Sequence, residues 1–465
     1  MESIPAKLLE QLRDVLDADG LLTSPGECLV YGYDNSKRQG MPIAVALPRS
    51  HAQALAVMQL CAEHRLPLVA RGRGTNTTGA SVPPDGALVL SFERMDRILR
   101  IDAANRLAVV EAGVLNGALQ QAVAAQGFFW APDPTSAPYS TVGGNLACNA
   151  GGPRTVKYGA SRDNVMALRA IDGLGREFRC GSETSKGSVG YDLVRLLVGS
   201  EGTLALITEA TLRLTPLPEA RRSLRALYAD VAAATAAVAR VMAQPVAPCA
   251  LEFMDGEALQ LVRARGADLP SAAGALLLID VDAQRAGLDD ACRAVADAAR
   301  GEGLLELRAA QDAAETETLW AARKALSPAL RSIAPMKINE DVVVPVSRLP
   351  ELIAGVGELG RAHAIPIVCF GHAGNGNIHV NLMYDPANAA QGSAAPHCLD
   401  AVFELVLRLG GTLSGEHGIG LAKRAWMSRA LDPVALELMR AVKSRFDPHG
   451  LLNPGKLLPD PPGRA

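Results

Sequence analysis

The chain of 465 residues lacks an excess of one charge, long apolar runs and many aromatic residues. Phe, Trp and Tyr together make up 4% of the residues, and 46 basic side chains are balanced by 49 acidic ones. A nucleic-acid-binding protein would show a basic excess or a basic face, so we expect no nucleic-acid partner. The longest apolar runs, such as Val231 to Ala239, are well short of the roughly 20 residues of a membrane-spanning helix.

The N-terminal segment carries charges every few residues and lacks the apolar stretch of a secretory signal peptide. We therefore expect a cytoplasmic protein, at most peripheral to a membrane. The cysteine residues form no CxxC pair or close cluster, and stand at positions 28, 61, 148, 180, 249, 292, 369 and 398. This spacing supports neither an iron–sulfur site, a zinc ribbon nor a disulfide framework. Free, mostly buried thiols in a reducing compartment are expected instead.

About half of the residues are apolar, mostly Ala, Leu and Val, and 44 are glycine, which is typical of an enzyme that mixes helices and strands. Apolar periodicity predicts a strand over Pro42 to Pro48, a helix over Ser50 to His64 and a strand over Leu66 to Ala70. No regular element is predicted from Ala131 to Tyr158, and Leu214 to Ser223 is a predicted linker. We expect two α+β units of similar size.

Three separate loops of small residues lie in the first half: ARGRGTNTTGA (from Ala70), STVGGNLACNAGG (from Ser140) and GSEGTLALITEA (from Gly199). The first has Thr77 where a Rossmann fingerprint needs its third glycine, and no Lys-Ser/Thr pair follows its last glycine as in a P-loop. The second is too rich in glycine for a stable helix or strand. Backbone N–H groups in such turns can hold a diphosphate. Together the loops indicate a large, extended ligand.

These loops, with PDPTSAPYSTVGGNLACNAGGPRTVKYG and GYDLVRLLVGSEGTLALITEATL, resemble the FAD domain of the vanillyl-alcohol-oxidase (PCMH-type) flavoproteins from about Pro42 to Leu217. The family usually has a small residue where this chain has Arg73 and glycine where it has Asn76. The first loop has no histidine that could anchor the flavin, so we expect non-covalent FAD. The resemblance implies FAD contacts by Arg71, Gly72, Arg73, Gly74, Thr75, Asn76, Gly79, Ala80, Pro132, Asp133, Thr135, Thr141, Gly143, Gly144, Asn145, Cys148, Asn149, Gly151, Gly152, Glu201, Gly202, Ile207 and Asn453.

Two histidines bracket a predicted turn in PIVCFGHAGNGNIHVNLMYD. If Asn375 and Gly376 form a two-residue hairpin turn, His372 lies directly opposite His379, with Asn381 on the same face and opposite Phe370. Such opposed side chains are close enough to share a metal ion. A longer loop would change the pairing and still bring both histidines together.

The motif GGTLSGEHGIG offers Glu416 and His417 as further polar groups. Two histidines and one carboxylate with open positions can hold catalytic zinc, manganese or iron(II). GHAGNGNIHVN and GEHGIG also resemble the metal-binding signatures of FAD-linked D-2-hydroxyacid dehydrogenases, the group of D-lactate dehydrogenase, the glycolate oxidase D subunit and D-2-hydroxyglutarate dehydrogenase. With FDPHGLLNPGKLLP (from Phe446), the likeness covers nearly the whole chain.

This resemblance implies that His372, His379 and Glu416 bind a divalent metal and that His417 is the catalytic base. Asn381 would contact the substrate. Arg323 and Ser327 match the family's Arg-x-x-x-Ser/Thr element for the substrate carboxylate, and Lys337 is a weaker candidate for a second anion contact.

The implied fold class is α+β. A helical segment over residues 1–40 precedes a two-part PCMH-type FAD-binding domain over 41–218. The substrate and metal domain over 219–465 is an α/β unit with an antiparallel sheet and a C-terminal helical segment, and its last part, about 415–465, returns to the flavin.

The expected reaction is oxidation of a D-2-hydroxy acid to the 2-oxo acid. Hydride passes from C2 to flavin N5 while His417 accepts the hydroxyl proton. D-lactate or glycolate is preferred over D-2-hydroxyglutarate, because the spacing around Lys337 differs from that of the dicarboxylate-specific relative.

The electron acceptor would be a quinone, a cytochrome, an electron-transfer flavoprotein or an iron–sulfur partner subunit, and a homodimer is compatible with the sequence. Three alternatives stay open: a metal-dependent hydrolase using His372, His379 and Glu416, a flavoprotein without net redox chemistry, and a non-catalytic flavin-binding subunit.

Overall fold

The computed structural model describes residues 4–460. The outer ends of the predicted terminal segments, residues 1–3 and 461–465, lie outside the described residues. Two compact units divide the chain. The first comprises the chain up to Gly152, Gly159–Leu217 and the segment from Glu416 onward, and the second comprises Pro153–Tyr158 and Pro218–Gly415.

A small sheet of four strands opens the first unit, in the order β1-β2-β4-β3, with β2, β4 and β3 parallel. Its strands are β1 (Leu21–Leu22), β2 (Ala44–Ala46), β3 (Leu68–Arg71) and β4 (Leu88–Ser91). The predicted helix between β2 and β3 is confirmed as His51–His64. It begins after Ser50, whose hydroxyl accepts a hydrogen bond from the Gln53 N–H, and it buries Ala54, Val57, Met58 and Cys61 in the spacing of an amphipathic helix.

A second sheet in the first unit is antiparallel, in the order β5-β6-β10-β8-β9, and β7 pairs separately with β11. The strands are β5 (Ile98–Asp102), β6 (Leu107–Glu111), β7 (Phe128–Phe129), β8 (Val165–Asp172), β9 (Glu177–Gly181), β10 (Ala205–Arg213) and β11 (Thr215–Pro216). The unit's α-helices are Ala6–Val15, Pro25–Leu29, His51–His64, Asn116–Ala124, Val142–Cys148, Leu193–Leu197, Met427–Ala430 and Pro433–Phe446.

The second glycine-rich loop contains a helix, so the expectation of no regular element from Ala131 to Tyr158 is wrong. Val142–Cys148 is helical because Thr141 caps its first turn, with the Gly144 N–H donating to Thr141 Oγ1 at 3.1 Å. The helix packs so closely on Ala112 that a Cβ at Gly143 would lie 2.7 Å from the Ala112 Cβ. Glycine is thus required here by packing and does not prevent the helix.

The predicted linker from Leu214 to Ser223 is shorter than expected, because its ends belong to strands. β11 occupies Thr215–Pro216, and the first strand of the second unit begins at Ala220. Within this segment the chain passes from the first unit to the second between Leu217 and Pro218.

One antiparallel sheet of seven strands forms the second unit, in the order β15-β12-β14-β13-β17-β18-β16. The predicted antiparallel sheet is thereby confirmed. The strands are β12 (Ala220–Tyr228), β13 (Ala250–Met254), β14 (Ala275–Ala283), β15 (Leu304–Ala309), β16 (Met336–Val343), β17 (Ile367–His372) and β18 (Asn377–Tyr384). The α-helices are Thr155–Tyr158, Val231–Ala243, Gly256–Arg263, Leu288–Ala299, Ala313–Ala329, Leu349–His363 and Ala389–Arg408.

Two helices cover one face of this sheet. Side chains of Gly256–Arg263 and Ala313–Ala329, such as Leu259 and Leu326, share a buried cluster with Val368 and Phe370 of β17. Because alternate residues of a strand share a face, His372 points to the same side as Val368 and Phe370. The polar residues described below therefore lie on the face of the sheet that packs against Gly256–Arg263 and Ala313–Ala329.

The hairpin between β17 and β18 differs from the predicted one. Four residues, 373–376, connect the strands, and His372 pairs with Asn377 while His379 pairs with Phe370. A two-residue type I′ turn needs positive φ at both central residues, and only Gly376 adopts it, at φ 70°. His372 is therefore not directly opposite His379, and Asn381 is opposite Val368 rather than Phe370.

The register differs from the predicted one by two residues, which is one full period of a strand. His372, His379 and Asn381 consequently still share one face, as expected. Within residues 4–460, none of the helices combines the length and the apolar character needed to cross a bilayer.

Replacing Gly376 by Ala should destabilise the second unit more than the matched replacement Gly410→Ala. Both glycines have left-handed backbone, with φ of 70° and 72°, so each alanine pays about 1–2 kcal/mol of strain. A Cβ at Gly376 would also lie 1.9 Å from the Val344 carbonyl oxygen, whereas Gly410 has open space around it. We expect Gly376→Ala to lower the free energy of unfolding, measured in urea, by at least about 2 kcal/mol more than Gly410→Ala does. Equal costs would contradict this account of the hairpin.

Candidate functional site

The loop after β3 is organised by an asparagine side chain. Asn76 Oδ1 accepts hydrogen bonds from the N–H groups of Thr78 (2.9 Å) and Ala80 (3.0 Å), and Asn76 Nδ2 donates to the His417 carbonyl (3.0 Å). Gly74 and Gly79 provide positive φ on either side, at 65° and 82°. Asn76 thus holds the loop in shape and connects it to the GEHGIG motif.

Close approaches at glycines join the first two glycine-rich segments to each other and the second to Asp133. A Cβ at Gly72 would lie 2.3 Å from Thr141 Oγ1, so the first loop lies directly against the start of the helix Val142–Cys148. A Cβ at Gly152 would likewise lie 2.5 Å from the Asp133 carbonyl oxygen. Only glycine permits these backbone approaches, which are the kind that a cofactor cradle needs.

Glu201 and Asn453 connect the third segment to the C-terminal motifs. The buried Glu201 carboxylate accepts hydrogen bonds from the Ile419 N–H (2.6 Å) and the Gly420 N–H (2.8 Å). Burial raises the pKa of Glu201, although these two N–H donors and nearby lysines act in the opposite direction. Asn453 Nδ2 donates to the Glu201 carbonyl (2.6 Å) and to the Ala80 carbonyl (2.8 Å).

Several predicted flavin residues use their side chains within the protein. Arg71 Nη1 donates to the Tyr33 carbonyl at 2.8 Å, and Asn149 Oδ1 accepts from the Arg162 N–H at 2.9 Å. Asn145 Oδ1 accepts from Asn116 Nδ2 at 3.0 Å. Cys148 Sγ accepts a hydrogen bond from Asn76 Nδ2, and the half-exposed Arg73 lies beside Glu93. Ile207 is part of β10, and Gly143 and Gly144 are part of the helix Val142–Cys148. The predicted flavin residues outside helices and strands include Thr75, Pro132, Thr135, Gly151 and Gly202.

Two buried polar atoms of this region fit a bound cofactor. Thr77 Oγ1 and Asn453 Oδ1 are buried and have no hydrogen-bond partner among the described residues. A buried polar atom without a partner is costly, and a ligand that carries hydroxyl and amide groups, as FAD does, can satisfy it. Sequence reasoning missed Thr77, although the position stood out as the one where the Rossmann glycine is replaced.

His372 and His379 lie close together in the second unit. Their ring centroids are 5.3 Å apart at an interplanar angle of 82°, and both side chains are buried. Glu416 directly follows Gly415, where the segment Pro218–Gly415 of this unit ends. One ligand atom from each of His372, His379 and Glu416 lies within 4.8 Å of the others. Two imidazoles and a carboxylate are a donor set for zinc, manganese or iron(II).

A buried carboxylate that the sequence did not predict stands beside His372. Glu252 pairs with His372 across β13 and β17, and its Oε1 lies 2.5 Å from His372 Nδ1. Its Oε2 accepts a hydrogen bond from Arg323 Nε at 2.8 Å. Burial alone would raise the pKa of Glu252, and the charges and hydrogen bonds of His372 and Arg323 overcome this effect and lower it to about 2.

A second such carboxylate, Asp341, fixes the residues that precede Glu416. It is fully buried on β16, directly opposite His379, and its Oδ2 accepts hydrogen bonds from Ser414 Oγ (3.1 Å) and the Gly415 N–H (2.9 Å). Glu252 and Asp341 could have been found only from the pairing of strands that are distant in sequence, which no local pattern contains.

The predicted substrate residues lie on the same face of the sheet or on the helix Ala313–Ala329 that packs against it. The Arg323 guanidinium carbon lies 4.7 Å from the centre of the Phe370 ring, and Lys337 Nζ lies 3.4 Å from Ser327 Oγ. Asn381 Nδ2 donates to the Val368 and His379 carbonyls, both at 3.1 Å, so its Oδ1 is oriented as an acceptor. That buried oxygen has no partner among the described residues.

The fold and these loops define a class of flavoprotein. The chain belongs to the FAD-linked oxidases: the family described as "FAD linked oxidases, C-terminal domain" matches residues 217–457, and "FAD binding domain" matches residues 42–181. The predicted FAD-linked oxidoreductase class is thereby confirmed.

Among the relatives, the glycolate oxidase subunit GlcD of Bacillus subtilis is 37% identical, over 96% of this chain and 96% of the relative. The D-lactate dehydrogenase of Anaerostipes hadrus is 33% identical, over 93% and 91%. The D-2-hydroxyglutarate dehydrogenase of Xanthomonas citri pv. viticola is 35% identical, over 96% of each chain. The predicted family resemblance is confirmed by these matches.

A solved structure, p-cresol methylhydroxylase with substrate bound, superposes with a TM-score of 0.80. The match covers 97% of this chain and 96% of that one, at 16% sequence identity. At this identity the likeness concerns the fold, and it confirms the predicted PCMH-type architecture.

Replacing Asn76 by Asp should weaken FAD retention. The new carboxylate can accept the N–H groups of Thr78 and Ala80, but it faces the His417 carbonyl with an oxygen where Asn76 has an N–H donor. We expect loss of flavin absorbance on gel filtration and a stability cost of about 1–3 kcal/mol. Asn388→Asp is the control, because Asn388 is an exposed helix N-cap where Asp performs equally well. Equal flavin content in both variants would contradict the assigned role.

Proposed function

We propose that this protein oxidises a D-2-hydroxy acid, D-lactate or glycolate, to the 2-oxo acid with FAD and a divalent metal, and passes the electrons to an acceptor other than a nicotinamide. The observation that carries the proposal is the close grouping of His372, His379 and Glu416 in a chain whose relatives are named for glycolate, D-lactate and D-2-hydroxyglutarate oxidation. A hydrolase using the same three residues would leave the FAD binding domain without a role.

His372, His379 and Glu416 are the residues that would hold the metal, and their donor set suits zinc, manganese or iron(II). A metal bound there would lower the pKa of the substrate hydroxyl and orient the carbon that bears it. The asymmetric environment of His372, with Nδ1 against Glu252, supports metal binding through Nε2.

His417 is proposed as the base that accepts the hydroxyl proton, since imidazole titrates near neutral pH. Its backbone is held by Asn76, so the side chain is carried by an ordered segment. FAD, held non-covalently, would accept the hydride from the substrate carbon at N5. The flavin would thus receive both electrons and one proton as the hydride, and the base would receive the second proton.

Arg323 is proposed to bind the substrate carboxylate, because its planar guanidinium group is oriented by the hydrogen bond from Nε to Glu252. Asn381 Oδ1, a buried acceptor, would receive a hydrogen bond from the substrate hydroxyl. Ser327 and Lys337, which lie next to each other, add a hydroxyl and a positive charge.

D-2-hydroxyglutarate is the second candidate substrate. Lys337 projects on the face that carries Asn381 and stands beside Ser327, so it could bind a distal carboxylate. The relative named for that substrate is about as similar to this chain as the one named D-lactate dehydrogenase.

The electron acceptor is proposed to be a quinone, a cytochrome, an electron-transfer flavoprotein or an iron–sulfur partner subunit. The name of the Bacillus subtilis relative, a subunit of glycolate oxidase, supports a partner protein.

His417→Ala should abolish most substrate-dependent dye reduction and leave FAD bound. Removing a general base costs about 10²- to 10⁴-fold in rate. The matched control is His397→Ala, an exposed histidine on the helix Ala389–Arg408. Full activity of His417→Ala with D-lactate, glycolate and D-2-hydroxyglutarate would contradict the assignment of His417 as the base.

Dialysis against a chelator should remove the activity without removing the flavin. Adding back zinc, manganese or iron(II) singly should restore dye reduction, and the metal that does so identifies the resident ion. A panel of the three hydroxy acids, measured by kcat/KM on the restored enzyme, identifies the substrate. A metal-free enzyme that keeps its full activity would contradict metal dependence.

A further inference from the structure

We propose that Glu252 is a positioning residue whose single carboxylate orients both the metal-binding imidazole of His372 and the substrate-binding guanidinium of Arg323. This inference rests on the proposed function, because it gives Glu252 its role through those two residues. Neither partner is near Glu252 in the sequence, and the pairing of β13 with β17 and the packing of the helix Ala313–Ala329 bring the three together.

The contacts of Glu252 are closed to solvent. Its side chain is fully buried, with Oε1 at 2.5 Å from His372 Nδ1 and Oε2 at 2.8 Å from Arg323 Nε. A buried carboxylate is tolerated only when it is paired, and here each oxygen has one cationic or N–H partner. Displacement of either partner would therefore leave the oxygen that it contacts without a hydrogen bond in the interior.

The contact with His372 sets which ring nitrogen is available. An ionised carboxylate only accepts hydrogen bonds, so the imidazole must present an N–H from Nδ1. In the neutral ring the lone pair is then on Nε2, the nitrogen that would bind a metal. A carboxylate behind a metal-binding histidine also raises the basicity of the ring and fixes its rotation.

The contact with Arg323 sets the direction of the guanidinium group. Glu252 takes the Nε–H, and the ring of Phe370 lies under the guanidinium plane at 4.7 Å. The two terminal nitrogens have no hydrogen bond within the described part of the chain. They form the donor pair that binds a carboxylate in bidentate fashion. One residue thus determines the spacing between the site for the substrate hydroxyl and the site for its carboxylate.

The variant Glu252→Gln tests this role because an amide has one acceptor and one donor end. It cannot accept from both His372 and Arg323, so one of them must face an N–H group. We expect the affinity for zinc or manganese, measured against a competing chelator, to fall about 10- to 100-fold, or the KM for D-lactate at saturating metal to rise at least about 10-fold. Flavin absorbance should stay at the wild-type level, because FAD is bound in the first unit.

The matched control is Asp280→Asn in the same sheet. Asp280 is as buried as Glu252, and its Oδ1 alone accepts the hydrogen bonds of both Ser223 Oγ and Trp320 Nε1. An asparagine keeps both bonds and loses only the ion pair of Oδ2 with the half-exposed Arg221, whose Nη1 lies 3.6 Å away. Trp320 lies one turn before Arg323 on the same helix. Metal affinity and KM should match the wild type. An equal loss in Asp280→Asn would overturn the specific role of Glu252.

If Glu252→Gln does not fold, Glu252→Met is measured in the same way, because it keeps the shape of the side chain and removes both acceptors and the buried charge. Loss of metal affinity or a raised KM in a folded variant supports the inference, and unchanged values of both overturn it. A wild-type protein that binds no divalent metal and oxidises no hydroxy acid refutes the proposed function itself. A wild type that does both, with a variant that matches it, refutes only the role of Glu252.

Discussion

The pairing of buried charge on one face of the seven-stranded sheet is the constraint on which the candidate site depends. Glu252, His372 and Arg323 satisfy one another in an interior where an unpaired ion would cost several kcal/mol. Asp341 accepts a hydrogen bond from the Gly415 N–H and so holds the backbone that leads to Glu416. The positions of His372 and His379 therefore follow from the pairing of β13, β17, β18 and β16, and the helix Ala313–Ala329 brings Arg323 to Glu252.

In the first unit, the loops of the candidate site are positioned by close approach of glycine backbone to neighbouring residues. Gly72, Gly143 and Gly152 allow contacts with Thr141, Ala112 and Asp133 that any side chain would prevent. Asn76 then adds the hydrogen bonds that hold the loop after β3 and connect it to the GEHGIG motif. These contacts hold the glycine-rich segments together, and Thr77 and Asn453 each have one buried oxygen without a hydrogen-bond partner among the described residues.

The hairpin of His372 and His379 illustrates how far local patterns reach. Alternation and an Asn-Gly signal predicted two strands and a shared face, and both are correct. The turn conformation is set by where the backbone can adopt positive φ and by contacts to Val344, so the pairing was wrong by two residues. The helix Val142–Cys148 was missed because glycine has low helix propensity, whereas here Gly143 is required by the close packing of the helix on Ala112.

The sequence by itself determined the flavoprotein class, the small-residue loops, the histidines and the Glu-His pair, because these depend on residue type and short spacing. Only the tertiary structure decided the surroundings of those residues: Glu252 contacts His372 and Arg323, Asp341 accepts the Gly415 N–H, and Thr77 and Asn381 each have a buried oxygen without a partner among the described residues. Such partners come from strands and helices far apart in the chain. Their register depends on the packing of the whole sheet, which no local pattern of residues encodes.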